Sequence, residues 1–232
     1  MNNLNWVFGI LDWSPIWLTF KLAAITSIIL LILCLPIAHW LSQSTNLLKI
    51  FLEVLFTIPL FLPPSVLGFY LLIAFSPNRG LGKWLMGHFN LSFVFSFEGL
   101  ILASILYNLP FMIGPLKSGF MLVPDEIKEA SYSLGKSKWT TFYKIILPNS
   151  IPSIITGMIQ TFAHTLGEFG VVLMIGGNIP GITRVASIAI YDSVENLDYP
   201  KAQSYALILF SITFILVFLI FLINRNFRNL AK

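Results

Sequence analysis

An all-α integral membrane protein with five transmembrane helices is the fold the sequence predicts, and three observations predict it. Of its 232 residues, 56% are hydrophobic and 10% are charged, where soluble domains carry about 25% charged residues. Five apolar stretches each reach the roughly 20 residues needed to cross the hydrocarbon core. Lysines and arginines also segregate between alternate connections, as the orientation rule for membrane proteins requires. Only helices and closed barrels satisfy the backbone in lipid, and apolar runs this long are helical.

The first span is placed at Ile16–Leu41 and the second at Leu47–Phe75. The third covers about Glu98–Gly119, the fourth about Ile151–Ile175, and the fifth Ala202–Ile223. Residues 1–15 hold no Lys or Arg, and the apolar run after them is longer than a signal-peptide core, so the first span is read as a retained helix. This leaves residues 1–15 as a short outer tail with Trp6 and Trp13 at headgroup level. The second span carries Pro59, Pro63 and Pro64, so it is expected to be bent and packed against other helices or against a cavity. The third is irregular for the same reason, with Tyr107, Asn108, Pro110 and Gly114-Pro115. Between them, Pro77-Asn78-Arg79-Gly80 is turn chemistry, and Leu81–Phe89 suits a short interfacial helix.

With the N-terminus outside, the inner connections and tail hold nine basic residues: Lys49, Lys117, Lys128, Lys136, Lys138, Lys144, Arg225, Arg228 and Lys232. The outer connections hold four: Arg79, Lys83, Arg184 and Lys201. The bias places the C-terminus and residues 117–149 in the cytoplasm. The net charge of +4 is therefore distributed by membrane side and is not a nucleic-acid footprint. The single cysteine, Cys34, sits in an apolar run and rules out a disulfide framework or a Cys-based metal site.

The connection between the third and fourth spans carries the sharpest pattern. Pro124-Asp125-Glu126 is a helix start, with acidic residues at the positive end of the dipole. A helix over Glu126–Ser133, a positive-φ cap at Gly135 and a second short helix over Lys136–Ile146 form a polar knob. Small side chains at Ala130 and Ser131 allow close approach, and Glu129 is placed to bond across a contact or to cap its own helix. A plain amphipathic surface loop is the bland alternative. Gly135-Lys136-Ser137 imitates the end of a phosphate-binding loop, but that motif needs glycine at position 130, where Ala130 stands, and a preceding strand. Nucleotide binding by this chain is rejected on that ground.

The fourth span carries Gln160, Thr161, His164, Thr165, Gly167, Glu168 and Phe169. Ionisable residues in a span usually face the protein interior and mark function. Gln160, His164 and Glu168 follow at i, i+4 and i+8 and are assigned to one helix face. Thr161, His164 and Thr165 offer hydrogen bonds to an oxyanion. Glu168 would repel one, so it is read as a partner of His164 or a backbone cap near a gate. A satisfied structural polar cluster stands beside that reading. Gly176-Gly177 through Arg184 suits an ordered outer turn better than an anion nest.

Residues 129–148 resemble the cytoplasmic signature of ABC importer permeases: Glu-Ala-Ala, three residues, Gly, nine residues, Ile-x-Leu-Pro. Glu129, Ala130, Gly135, Ile145, Leu147 and Pro148 match in register, and Ser131 departs at the third position. Leu166 to Gly170, Gly177 to Gly181, Thr183-Arg184 and Tyr191-Asp192 are similar to molybdate permeases of that superfamily. Sulfate relatives tend to carry Tyr where Phe169 stands and to lack the Pro180-Gly181 pair. The likeness covers essentially residues 16–224.

The resemblance implies a type I ABC importer permease domain over 16–224, a coupling loop over 120–149 and a cytoplasmic tail over 225–232. It implies a homodimer in the bacterial cytoplasmic membrane, in contact with lipid, with two separate ATPase subunits and an external molybdate-binding protein. Glu129, Ala130, Ser131, Gly135, Ile145, Leu147 and Pro148 would couple to the ATPase. The family's inner gate would map to the fourth span, around Thr161–Phe169 or just below it. The chain would bind no cofactor, metal or nucleic acid and catalyse nothing, with ATP and Mg on the ATPase. Sulfate or thiosulfate is the nearest alternative cargo. A secondary transporter would show an internal repeat, and none is visible among candidates such as Lys21, Glu53, His164 and Glu168. A membrane-embedded enzyme would cluster its nucleophile, base or metal ligands, whereas His39, His88 and His164 are scattered.

Overall fold

The computed structural model describes residues 11–43 and 46–230. Among these, the chain is helices and connections with no strand. The expected outer tail lies outside the described residues as far as position 10, Trp6 included, and so does Lys232. Helix α1 is Ser14–Ser42, α2 Leu47–Thr57, α3 Pro64–Ala74 and α4 Gly80–Phe89. Next come α5 (Phe97–Met121), α6 (Asp125–Ser133) and α7 (Lys138–Asn149). The last four are α8 (Ile151–Gly167), α9 (Gly170–Gly176), α10 (Ala186–Glu195) and α11 (Tyr199–Leu230).

Three helices, α1, α5 and α11, are each long and apolar enough to cross a membrane, and two bent pairs bring the number to as many as five. The first bent pair is the expected second span. It is broken rather than kinked: Leu47–Leu60 and Pro64–Ala74 meet at 107°. The cause is local. A residue before proline is pushed out of the α region, and the Pro63-Pro64 pair puts Leu62 and Pro63 in that position; Pro63 has φ −54° and ψ 133°. The second bent pair joins α7 to α8 at 68°. The fourth span also ends early. Its helix stops at Gly167 instead of running to Ile175, and a new short helix begins at Gly170.

Packing follows the rule for helices in lipid, where van der Waals fit replaces the hydrophobic drive and small residues allow backbones to approach. Gly68 of α3 lies so close to α9 that an added Cβ would sit 2.7 Å from the Met174 Cβ and 3.1 Å from the Val171 backbone. The two broken segments thus lie against each other, with the breaks before Pro64 and before Gly170 side by side.

Two apolar cores flank a polar layer. Leu30, Cys34, Met112, Leu116 and Phe142 fill one; Leu22, Leu100, Ala103, Val171 and Ile188 fill the other. Along α5 the sequence passes from Ala103 in one core to Met112 in the other, and the buried Ser104 and Asn108 lie between. A third cluster around Tyr205 ties α11 to the start of α1, where the Tyr205 hydroxyl donates to the Asp12 carbonyl at 2.7 Å. Buried Thr19 of α1 accepts the Ala186 N–H at 2.8 Å and so caps α10 from another helix.

Two basic residues assigned to inner connections are engaged inside helices instead. Lys117 of α5 pairs with Glu53 of α2 at 2.5 Å. Lys49 is buried in the first turn of α2, where it donates to the Trp40 carbonyl and lies 4.8 Å from the Trp40 ring centre.

Candidate functional site: a polar bridge at two helix breaks

A cavity of about 790 Å³ opens where the breaks meet. The first turn of α3 supplies Pro64 and Ser65 to its wall, α5 supplies Tyr107 and Phe111, and α11 supplies Thr213, Val217 and Ile220. From α8 and the break after it come Gln160, Ala163, His164, Gly167, Glu168, Phe169 and Gly170. Five of the seven pathway residues read from the sequence therefore line one space. Thr161 and Thr165 do not: both are buried on the other face of α8, and the Thr165 hydroxyl bonds back to the Thr161 carbonyl at 2.8 Å.

Glu168 is not on the helix face assigned to it. The backbone there is extended, with φ −65° and ψ 126°, because the helix has already ended. Glu168 still lines the same cavity, and Ser187 of α10 satisfies its freed carbonyl at 2.6 Å.

Glu168 and His164 do not pair directly. Asn108 stands between them: its amide donates to Glu168 Oε2 at 3.1 Å, and its Oδ1 meets His164 Nδ1 at 2.8 Å. The amide nitrogen also donates to the Ser104 carbonyl at 2.8 Å. Both contacts of that nitrogen are to acceptors, so Oδ1 must be the accepting end. His164 therefore carries a proton on Nδ1, which leaves Nε2 as its other hydrogen-bonding atom. The ring stacks on Phe111, with centroids 3.9 Å apart and planes at 27°. The Thr161 hydroxyl is buried with no hydrogen-bond partner among the described residues.

The knob has an inner and an outer side. Helix α6 ends in a Schellman motif, with the Gly135 N–H on the Tyr132 carbonyl and the Lys136 N–H on the Ser131 carbonyl. Gly135 takes φ +72°, as its position after the helix requires. The second helix starts at Lys138 rather than Lys136, because the Ser137 hydroxyl caps it through the Thr140 N–H. Pro148 cannot donate to Lys144, and the turn before it is a π-turn over Phe142–Ile146, closed by the Leu147 N–H on the Phe142 carbonyl.

Ser131, read as part of an outer contact, faces inward. It is buried and bonds the Thr141 hydroxyl at 2.9 Å. Ile145 and Leu147 pack against the apolar core and anchor the knob to the bundle. Glu129, Ala130, Gly135 and Pro148 are exposed, as are Leu134 and Trp139.

Outside the cavity, Arg184, Asn178 and Asp192 close the turn after α9. Asn178 bridges Arg184 Nε at 2.5 Å and Asp192 at 2.8 Å, so Arg184 is committed to the turn and is not held out for an anion. Next to Asp192, the Tyr191 hydroxyl donates to Glu195 at 2.6 Å, and that bond with the carboxylate's charge pushes the phenol above its ordinary pKa. The Tyr191 ring lies 5.1 Å from Phe169.

The family model for the inner membrane component of binding-protein-dependent transport systems matches residues 31–229. The chain belongs to that family. It is a permease, the transport subunit of an ABC importer and not an enzyme, in a multi-pass inner-membrane protein family. It is 40% identical to the molybdenum transport system permease protein ModB of Azotobacter vinelandii, over 94% of this chain and 96% of that one. It is 33% identical to the putative molybdenum transport system permease protein YvgM of Bacillus subtilis, over 89% and 91% of the two chains. The sulfate transport system permease protein CysT of Escherichia coli is 31% identical over 76% of this permease and 63% of that protein. Among solved structures, the permease matches a chain of a bacterial alginate ABC transporter in complex with a periplasmic protein, with TM-score 0.76 and 15% identity over all of this chain and 84% of the other. The methionine transporter MetNI gives TM-score 0.70 at 14% identity over the full length of both chains. These likenesses establish the fold of an ABC importer permease.

Proposed function

We propose that this permease carries molybdate, with tungstate accepted, across the cytoplasmic membrane in an ATP-driven importer that works by alternating access. The observation that carries the cargo assignment is the end-to-end similarity to molybdenum permeases, which exceeds the span matched by the sulfate relative. The site's chemistry supports it. The first turn of α3 faces the cavity, and the positive end of a broken membrane helix favours an anion. Ser65, Gln160 and His164 supply polar groups there, while the Glu168 carboxylate is engaged by Asn108. The pathway thus offers donors without a fixed cation, which suits an importer that must release its cargo and leaves high affinity to an external binding protein.

The assembly is a homodimer in lipid, with two ATPase subunits below it and a molybdate-binding protein outside. ATP and Mg reside on the ATPase, and this chain binds no cofactor. The N-terminus is outside and the C-terminus cytoplasmic. Glu129, Ala130 and Gly135 present the exposed side of the knob to the ATPase, while Ser131, Ile145 and Leu147 make the knob stiff enough to transmit motion. ATP binding draws the two knobs together and opens the pathway outward, and hydrolysis returns it inward. The test is uptake by proteoliposomes that hold the purified permease with its ATPase and binding protein. ATP-dependent accumulation of molybdate over sulfate is expected; accumulation of sulfate alone overturns the cargo.

A further inference from the structure

We infer that a groove between α1 and α7, away from the cavity, is a binding site for one anionic phospholipid. The groove has a volume of about 680 Å³. One wall is a single face of α1: Ile32, Leu35, Pro36, His39, Trp40 and Gln43. These positions span about 16 Å at 1.5 Å rise per residue. The other wall is α7, with Lys138, Trp139, Phe142, Tyr143 and Leu147.

The groove is graded along its length. The Ile32 end continues into the exposed apolar surface of a membrane-spanning helix, where Ile28 and Leu33 are also exposed. The other end gathers Trp40 and Gln43 at the end of α1 with Lys138 and Trp139 of the polar knob. Trp139 is 71% exposed and stacks on Tyr143, with ring planes 18° apart. Amphipathic aromatic rings of this kind settle at headgroup level. An acyl chain fits the apolar end, and a headgroup the polar one.

Charge selects the headgroup. No acidic residue lines the groove among the described residues. Lys128 is held by Asp125, but Lys136, Lys138 and Lys144 form no ion pair among the described residues. A basic, aromatic-rimmed pocket between helices is the form that anionic headgroups of the cytoplasmic leaflet recognise. The groove opens sideways along α1, so the bilayer itself supplies the ligand. The inference rests on the chain being a membrane permease in the proposed orientation, and is independent of which oxyanion it carries.

Native mass spectrometry of the full permease complex, titrated with dioleoyl phosphatidylglycerol or dioleoyl phosphatidylcholine, tests it. The wild type should retain one more phosphatidylglycerol than phosphatidylcholine per permease chain. Lys138→Gln should weaken the phosphatidylglycerol interaction about five-fold, the weight of one lysine at an anionic surface, and leave phosphatidylcholine unchanged. Leu35→Trp, which fills the groove, should remove both. Equal retention of the two lipids, or no change in Lys138→Gln, overturns the site. So does a photo-crosslinker at position 139 that labels a second permease or the ATPase instead of lipid. Oxyanion uptake, measured in parallel, separates this result from the cargo assignment.

Discussion

Asn108 and His164 belong to different helices, 56 positions apart, and meet at 2.8 Å; the same asparagine holds Glu168 at 3.1 Å. One buried amide therefore joins α5, α8 and the break after it. Replacing it strands a buried carboxylate and an imidazole N–H, and an unsatisfied buried group costs about 1–3 kcal/mol. Asn108→Leu should lower the unfolding midpoint of the detergent-solubilised permease and reduce transport. Asn108→Asp, which places a second carboxylate against Glu168, should be worse than Leu on both measures.

His164 packs and bonds at once, and the two roles separate by substitution. His164→Phe preserves a ring to stack on Phe111 but removes Nδ1–H. Stability should fall by about 1–3 kcal/mol as Asn108 Oδ1 loses its donor, with transport reduced further than stability alone explains. Uptake at matched membrane levels of folded protein checks this.

Gly68 marks the contact between the two broken segments. A methyl there meets the Met174 Cβ at 2.7 Å and backbone at 3.1 Å, so Gly68→Ala must push α3 and α9 apart. Overpacking of this kind costs about 1–3 kcal/mol. Because the first turns of both segments line the cavity, uptake should fall with stability, whereas Gly87→Ala, whose added Cβ meets nothing within 4 Å, should leave both unchanged.

Ser131 and Thr141 should behave as an internal tie of the knob. A double-mutant cycle with Ser131→Ala and Thr141→Val should give a coupling energy of about 1 kcal/mol, the net value of one buried hydrogen bond. Glu129→Lys should instead leave stability within about 0.5 kcal/mol, as exposed substitutions do, yet abolish transport while the protein still inserts.

These contrasts also mark how much was legible beforehand. The three long helices α1, α5 and α11 could be read because apolar runs of that length have one solution in lipid, and the turn after α6 because a Schellman cap needs a glycine such as Gly135 at a fixed place. The break at Pro63-Pro64 was legible as a bend but not as a turn of 107°, since proline says where a helix yields and its packing partners decide how far. Glu168 was placed on a helix face by periodicity alone; the helix stops one residue earlier, and no periodic argument registers an ending without a proline or a cap. Asn108 was visible as a polar residue within a span, but its role depends on two partners that only the fold brings to it. Ser131 looked like a docking surface because smallness permits close approach, and the close approach proved to be to Thr141.

Molybdenum, tungsten and sulfur taken up by cells from scarce medium, with and without this gene, test the central claim most directly. The account predicts a loss confined to molybdenum and tungsten, restored by the wild-type gene and not by its Glu129→Lys form. A loss of sulfur uptake with molybdenum unchanged would contradict it.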